Sequence, residues 1–427
     1  FYIKTVTTGI HKITYNDIVK LGIDPSKINP QYIKIFGYGG GTLPQSNDSI
    51  PPDDMLENSI LVVGENDLSF DKNDYILFYA QAQHKSLYDY NLQNFYNKKN
   101  PYTDTTVYFI NFDLPLKGKR ITNVPYQSAS PDYIISDFDD CQFHELDKYN
   151  LIQSGRELYG ELFDIITSYN FNFSFPNIIT NSPIYLKTSI AARSLYESSC
   201  NIYANNNILG NIKIPPIIQG YANDYAKEVS ASFSFYSNKP DITITVDYEK
   251  PLPTSTAWLN FIEITAKRQL YMTGEQMSFR NTLSSIPNKI LQYNISNFSN
   301  EYYIWNVSDI TDIKNINYSI YSNTAYFTTN SSNKIQEYIA FSGKEFFTPI
   351  IGQQIQNQNL HSITNIDYII IAPDQLKPQA LRLAQFHKSN DNLSYSIVSP
   401  QEIYNEFSSG SQDISAIRNF IKMIYTR

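Results

Sequence analysis

Cysteine, histidine and positive charge are all in short supply in this sequence. Two Cys, Cys141 and Cys200, in 427 residues exclude a multi-bridge disulfide scaffold and a multi-cysteine zinc module. The two can still pair in an oxidising compartment. Lys and Arg number 33 against 41 Asp and Glu, a net charge of −8. No basic run occurs, so the electrostatic footprint of a nucleic-acid binder is missing. No run of about 20 apolar residues exists, which excludes a membrane-spanning helix. The chain opens on Phe1, with no charged and apolar leader in view, so export is not legible there. What the sequence does hold is aromatic and polar: 35 Tyr and 25 Phe, with 42% of residues hydrophobic. That excludes wholesale disorder. Tyr and Ile favour strands, and Asn and Ser favour turns. The usage is that of an AT-rich bacterial genome encoding β-rich secreted modules, and the length predicts about two to four domains.

Residues 1–127 read as a β-rich module with one short helix. His11 to Tyr15 is a strand candidate, and Asn16 is positioned to cap a helix through Gly22 with Ile18, Val19 and Leu21 on its apolar face. Tyr32 to Phe36 is a strand stopped by Gly37-Tyr38-Gly39-Gly40-Gly41. Tyr75 to Ala80 and Val107 to Phe112 follow as strands. Residues 128–364 read as a β-sandwich-like module. Phe171, Phe173 and Phe175 alternate with polar residues and belong on one sheet face. Asn205-Asn206-Asn207 reads as a hairpin turn, because Asn tolerates left-handed backbone. Phe233 to Tyr236 and Ile242 to Val246 flank Asn238 to Asp241 as a second hairpin candidate. Trp258 to Ile264 and Tyr338 to Phe341 add strands.

The pattern then changes. Tyr368 to Ala372 is an unbroken apolar run, the mark of a strand buried on both faces. Leu376, Ala380, Leu383 and Ala384 make a helical stripe, with Pro378 tolerable in the first turn. Tyr395 to Val398 is a second strand, Ser399-Pro400 starts a helix and Gly410 stops it. Ile414, Ile417, Ile421 and Ile424 mark a last amphipathic helix. Residues 365–427 are therefore the beginning of a doubly wound α/β domain, too short to complete one. The fold class expected is mainly β, sandwich- or barrel-like, followed by the start of an α/β domain.

Few residues carry chemistry in recognisable patterns. Gly37-x-Gly39-Gly-Gly41 lacks the third glycine of a dinucleotide loop, since Thr42 stands there, and reads as a turn. His144-Glu145-Leu146-Asp147 begins like a zinc helix, but Lys148 replaces the second His. Cys141 lies three residues from His144, the one local Cys–His proximity, though a nucleophilic Cys needs a base in set geometry. Cys200 reads as a buried small hydrophobe. Asp137, Asp139 and Asp140, and Asp53-Asp54, offer oxygen ligands without the spacing of a calcium loop. Arg156 and Glu161 read either as an ion pair at the entry to the second module or as a solvated surface pair. Asp48-Ser49-Ile50 and Asp104-Thr105-Thr106 resemble the short O-glycosylation signal of exported Bacteroidota proteins.

The C-terminal stretch carries a resemblance. Asp367 to Asp374, Ala380 to His387, Val398 to Gly410 and Asp413 to Phe420, taken in order, resemble the start of the gingipain-type (C25) cysteine peptidase domain. Upstream, Gly9 to Tyr15, Ile33 to Gly41, Asn73 to Ala80, Ser154-Gly155-Arg156 with Gly160-Glu161, Trp305 to Asp309 and Asn357 to His361 resemble the branch of that family formed by the sortases of type IX secretion. The resemblance implies a surface-exposed endopeptidase, peripheral to the outer membrane. It would remove C-terminal sorting domains from secreted cargo, help transfer the product to a lipopolysaccharide anchor, and work beside an outer-membrane β-barrel shuttle protein. It implies no cofactor. The family's catalytic His, followed by Gly, and its Cys come after the first strand–helix units and are expected beyond Arg427. His387 precedes Lys388 instead, and neither Cys lies in the α/β segment. No catalytic residue is therefore expected in these 427 residues, which are expected to be peptidase-inactive as written, serving docking and scaffolding. The alternative is a non-catalytic surface β-protein that binds an outer-membrane barrel partner or cargo. A metal site stays open.

Overall fold

The computed structural model describes residues 1–220 and 223–427. Three β-rich units precede the α/β segment. In the first, a five-stranded sheet runs in the order Ile350–Ile351, Tyr2–Thr5, Thr106–Asn111, Lys34–Phe36, Glu57–Asn58. A three-stranded sheet of Gly9–Thr14, Tyr75–Ala80 and Ile60–Val63 faces it. Alternating residues of both meet in one core that includes Ile3, Ile13, Ile35, Ile76, Phe78, Tyr108 and Ile110. Helix α1 (Tyr15–Lys20) closes an end of this core with Ile18. Its cap is Thr14 rather than Asn16: Thr14 and Asp17 form a reciprocal capping box. A strand ending in Thr feeds directly into the helix, so the cap falls where the backbone leaves the sheet.

The middle unit is a sandwich. One sheet is ordered Asp137–Glu145, Thr256–Gln269, Ile184–Arg193, Lys227–Phe235 and the other Ser168–Ser174, Asp241–Glu249, Ser198–Ala204, Asn207–Ile214. Phe171, Phe173 and Phe175 are all buried between them, as their alternation predicts. Asn205 and Asn206 make the two-residue turn at φ 48° and 69°, the left-handed pair that a tight hairpin requires. The segment from Phe233 to Val246 is not a hairpin. Lys227–Phe235 pairs with Ile184–Arg193, whereas Asp241–Glu249 pairs with Ser168–Ser174 and Ser198–Ala204 in the facing sheet. Both strands point apolar residues at one core from opposite sides, and a turn signal alone does not separate that arch from a hairpin. Many Asn residues sit on the outer sheet face rather than in turns. Thr243 and Thr245 hydroxyls donate to Asn172 (2.8 Å) and Asn170 (2.7 Å) across the strand pair.

The third unit packs the sheet Thr122–Val124, Lys314–Ile316, Tyr303–Asn306, Glu337–Phe341, Gln276–Arg280 on the sheet Tyr133–Ile135, Ile290–Ser296, Thr324–Asn330, Ser319–Tyr321. Its core stacks Phe279, Tyr293, Phe327 and Tyr338. Residues 128–364 thus divide between two sandwiches, one inserted in the other. Thr122–Val124 reaches forward into the third unit, and Ile350–Ile351 returns to the first. Ile10, Leu77 and Tyr79 of the first unit bury against Trp305, Ile339 and Phe341 of the third. Such β-pairings join residues far apart in sequence, which composition does not reveal.

The α/β segment follows. Tyr368–Ile371 and Tyr395–Val398 pair in parallel across helix α2 (Lys377–Asp391), then α3 (Pro400–Phe407) and α4 (Ile414–Thr426) follow. The Tyr368 strand is only half-buried, not buried on both faces, because it belongs to a two-stranded sheet. Helix α2 buries Ala380 and Ala384 but leaves Leu376, Leu383 and Phe386 exposed. Helix α4 is rotated from the isoleucine stripe. It buries Ala416, Phe420 and Met423, and Ile414 and Ile421 are exposed. The residues that enter the core, Ala416, Phe420 and Met423, set that face, and the Arg418 guanidinium donates to the Pro44 carbonyl at 2.7 Å and also to that of Gln45. No helix among the described residues is long and apolar enough to cross a membrane.

Candidate functional site

The α/β segment is built onto the glycine loop of the first unit. Gly39 and Gly41 have φ of 73° and 93°, and a Cβ at Gly40 would meet the Ala82 carbonyl oxygen at 1.7 Å. Only glycine lets the loop lie flat there. Leu43, just after it, enters the core of Val398, Ile403, Phe407, Ala416 and Phe420. Asp413 caps α4 at Ser415 N and accepts from Leu43 N at 2.8 Å with its other oxygen. Ser409 Oγ donates to the Val107 carbonyl (3.1 Å), and Gln83 Nε2 donates to Ser411 Oγ (3.1 Å). The start of α3 is fixed by Ser399 and Glu402 in a second capping box.

A buried carboxylate ties the entry of this segment together. Glu406 on α3 accepts from Leu360 N (2.8 Å), Gln358 Nε2 (2.8 Å) and His361 Nδ1 (2.7 Å). The other ring nitrogen of His361 lies 2.6 Å from the Asp53 carbonyl oxygen. The ring stacks on Phe407 at 4.9 Å. Arg427 reaches both oxygens of the Asp53 carboxylate at 2.7 Å. This cluster was not legible as a site, because Asp53, His361, Glu406 and Arg427 are scattered through the sequence. The Asn357 to His361 motif was its one local signal.

The sequence candidates fall elsewhere. Cys141 and His144 lie on the strand Asp137–Glu145, and three residues along a strand reverses the face. Thr265 Oγ1 donates to Cys141 Sγ at 3.5 Å, whereas His144 Nε2 donates to Glu161 at 2.9 Å and its ring lies tilted against Phe171. Burial pushes the Cys141 thiol pKa up, the reverse of nucleophile activation. Cys200 is a fully buried core residue with its thiol held protonated by burial, and both cysteines are free. Glu161 pairs with His144 and not with Arg156, which is exposed on a cleft wall, so of the two readings of these residues the ion pair is not formed. The aspartates of Asp137 to Asp140 are spoken for. Lys267 Nζ meets Asp137 (3.0 Å) and Asp139 (3.1 Å), and Arg268 meets Asp140 at 2.8 Å. On the same sheet, burial raises Glu145 to about 7 in spite of Lys99 at 3.7 Å. Glu263 is also raised by burial, and it accepts from Asn97 N of the hairpin Lys85–Asp89/Asn94–Lys98.

Residues 361–427 match the family model of peptidase family C25. A solved structure shares the fold of the whole chain. The crystal structure of dimeric latent PorU from Porphyromonas gingivalis superimposes with a TM-score of 0.84 at 22% identity, covering 99% of this chain and 39% of PorU. The chain therefore has the PorU fold over two-fifths of that protein's length, β-rich units and α/β start together. Weaker likenesses are to the calcium- and xylotriose-bound carbohydrate-binding module CBM36 (TM-score 0.17, 12% identity, 23% of this chain and 71% of that one). Another is to the insecticidal δ-endotoxin Cry8Ea1 of Bacillus thuringiensis (TM-score 0.21, 12% identity, 57% and 43%). No curated protein matches the sequence.

Proposed function

We propose that this chain is the amino-terminal part of a PorU-like sortase of type IX secretion. The whole protein would be a cysteine endopeptidase that cleaves C-terminal sorting domains from cargo at the outer membrane and supports transfer to a lipopolysaccharide anchor. The observation that carries the reading is the peptidase-family match of residues 361–427 on a segment seated against the first β-rich unit by Asp413, Ser409 and Leu43. A thioester acyl-enzyme suits both outcomes, since water or an amine can resolve it. In this reading the catalytic Cys and His lie beyond Arg427, and residues 1–364 dock and scaffold. They would meet the outer-membrane β-barrel shuttle and the cargo at the cell surface.

The test is covalent labelling of the protein purified from its source bacterium with a peptidyl electrophile, followed by peptide mapping. The expected label falls on a Cys beyond Arg427, in a chain longer than 49.1 kDa. A label on Cys141 or Cys200, or none on a protein proven active on cargo, overturns the assignment. Retention of the shuttle by immobilised residues 1–364 would support the docking role, and failure to retain it would remove that role alone.

A further inference from the structure

A cavity of about 410 Å³ lies where all three β-rich units meet, in the size range of small-ligand sites. The first unit supplies Tyr79, Gln81 and Lys85, the middle unit Cys141, and the third unit Arg280 and Glu337. Two cations face this space with donors to spare. Lys85 packs its stem against Gly41 and gives one hydrogen bond, to Gln81 Oε1 at 3.2 Å. Among the described residues no carboxylate lies within ion-pair distance of it. Arg280 gives three N–H bonds, to the Ser86 carbonyl (2.8 Å), Ser86 Oγ (2.7 Å) and Glu337 Oε1 (2.9 Å). A guanidinium has five N–H donors, so two remain without an oxygen acceptor among the described residues. Glu337, the one carboxylate beside both cations, is already committed to Arg280.

A cation partly withdrawn from water is stabilised by a counter-charge. Of the other acids on the wall, Asp140 pairs with Arg268 and Asp139 shares Lys267 with Asp137, which leaves Lys85 as the lining lysine without a carboxylate partner among the described residues. We infer that this junction cavity binds a small oxyanion, a phosphate or a carboxylate, between Lys85 and the free N–H groups of Arg280. The bound anion would tie the first unit to the third across the strand that carries Cys141.

Isothermal titration calorimetry of the chain with inorganic phosphate, and separately with citrate, at matched ionic strength tests this. Saturable binding of either is expected, and which one binds names the anion class. Lys85→Met should weaken it at least about tenfold, while Lys213→Met, an exposed control far from the cavity lining, should leave it unchanged. No saturable heat with either anion overturns the inference. So does equal loss in both variants, or undiminished binding by Lys85→Met with a wild-type unfolding transition.

Discussion

At the scale of single residues, His11 shows how a polar group is accommodated in a β-core. Its ring is 1% exposed, lies 2.6 Å from Thr5 Oγ1 and 3.1 Å from the Gly9 carbonyl, and packs between Phe78 and Phe347. Burial lowers its pKa from 6.5 to about 4. A base with a depressed folded-state value binds fewer protons folded than unfolded between these limits. The folded state is therefore favoured above pH 6.5 and loses this contribution as pH falls towards 4. The loss should reach about 2 kcal/mol by pH 5. Urea denaturation at pH 7 and pH 5 should show that loss in the native chain, and a smaller one in His11→Gln.

At the scale of elements, ends matter as much as faces. Helix α3 is only eight residues, too short to persist alone in water. It is held by the Ser399–Glu402 box at its start, Pro400 in its first turn, and Ile403 and Phe407 in the core. Ser399→Ala removes one acceptor for the Glu402 N–H and should cost about 1 kcal/mol. Faster amide exchange across Pro400–Phe407, with exchange in the middle sandwich unchanged, would report that loss as local. The same capping logic was readable in the sequence. The rotation of α4 was not, because two overlapping apolar stripes fit its sequence and the core it packs into takes Ala416, Phe420 and Met423.

At the scale of the molecule, the decisive contact is the seat of the α/β segment on the first unit. Gly410 has φ 76° and a Cβ there would lie 2.8 Å from Val107 Cγ1. Gly410→Ala would combine backbone strain with overpacking, for a loss of about 2–3 kcal/mol. Limited proteolysis should then cut the connector at 352–359 sooner and release the α/β segment, with the sandwiches intact. Unaltered proteolysis would mean that the Asp413, Glu406 and Leu43 contacts hold the segment without help from this turn.

The sequence by itself determined the local periods: the Phe171 to Phe175 alternation, the Asn205-Asn206 turn, the strand Tyr75–Ala80, the start of α3 at Ser399-Pro400, and the switch from β to α/β grammar near Tyr368. These follow from side-chain spacing and backbone preference, which act over a few residues. Tertiary structure decided what lies far apart in sequence. It divided residues 128–364 between two sandwiches, sent Phe233 and Val246 into facing sheets, put Cys141 and His144 on opposite faces, and gave Glu161 to His144 instead of Arg156. It also gathered Asp53, His361, Glu406 and Arg427, and brought Lys85 and Arg280 to one cleft. Pairings of this kind are fixed by which strands meet across a core, and strand pairing is a property of the whole chain rather than of any window within it.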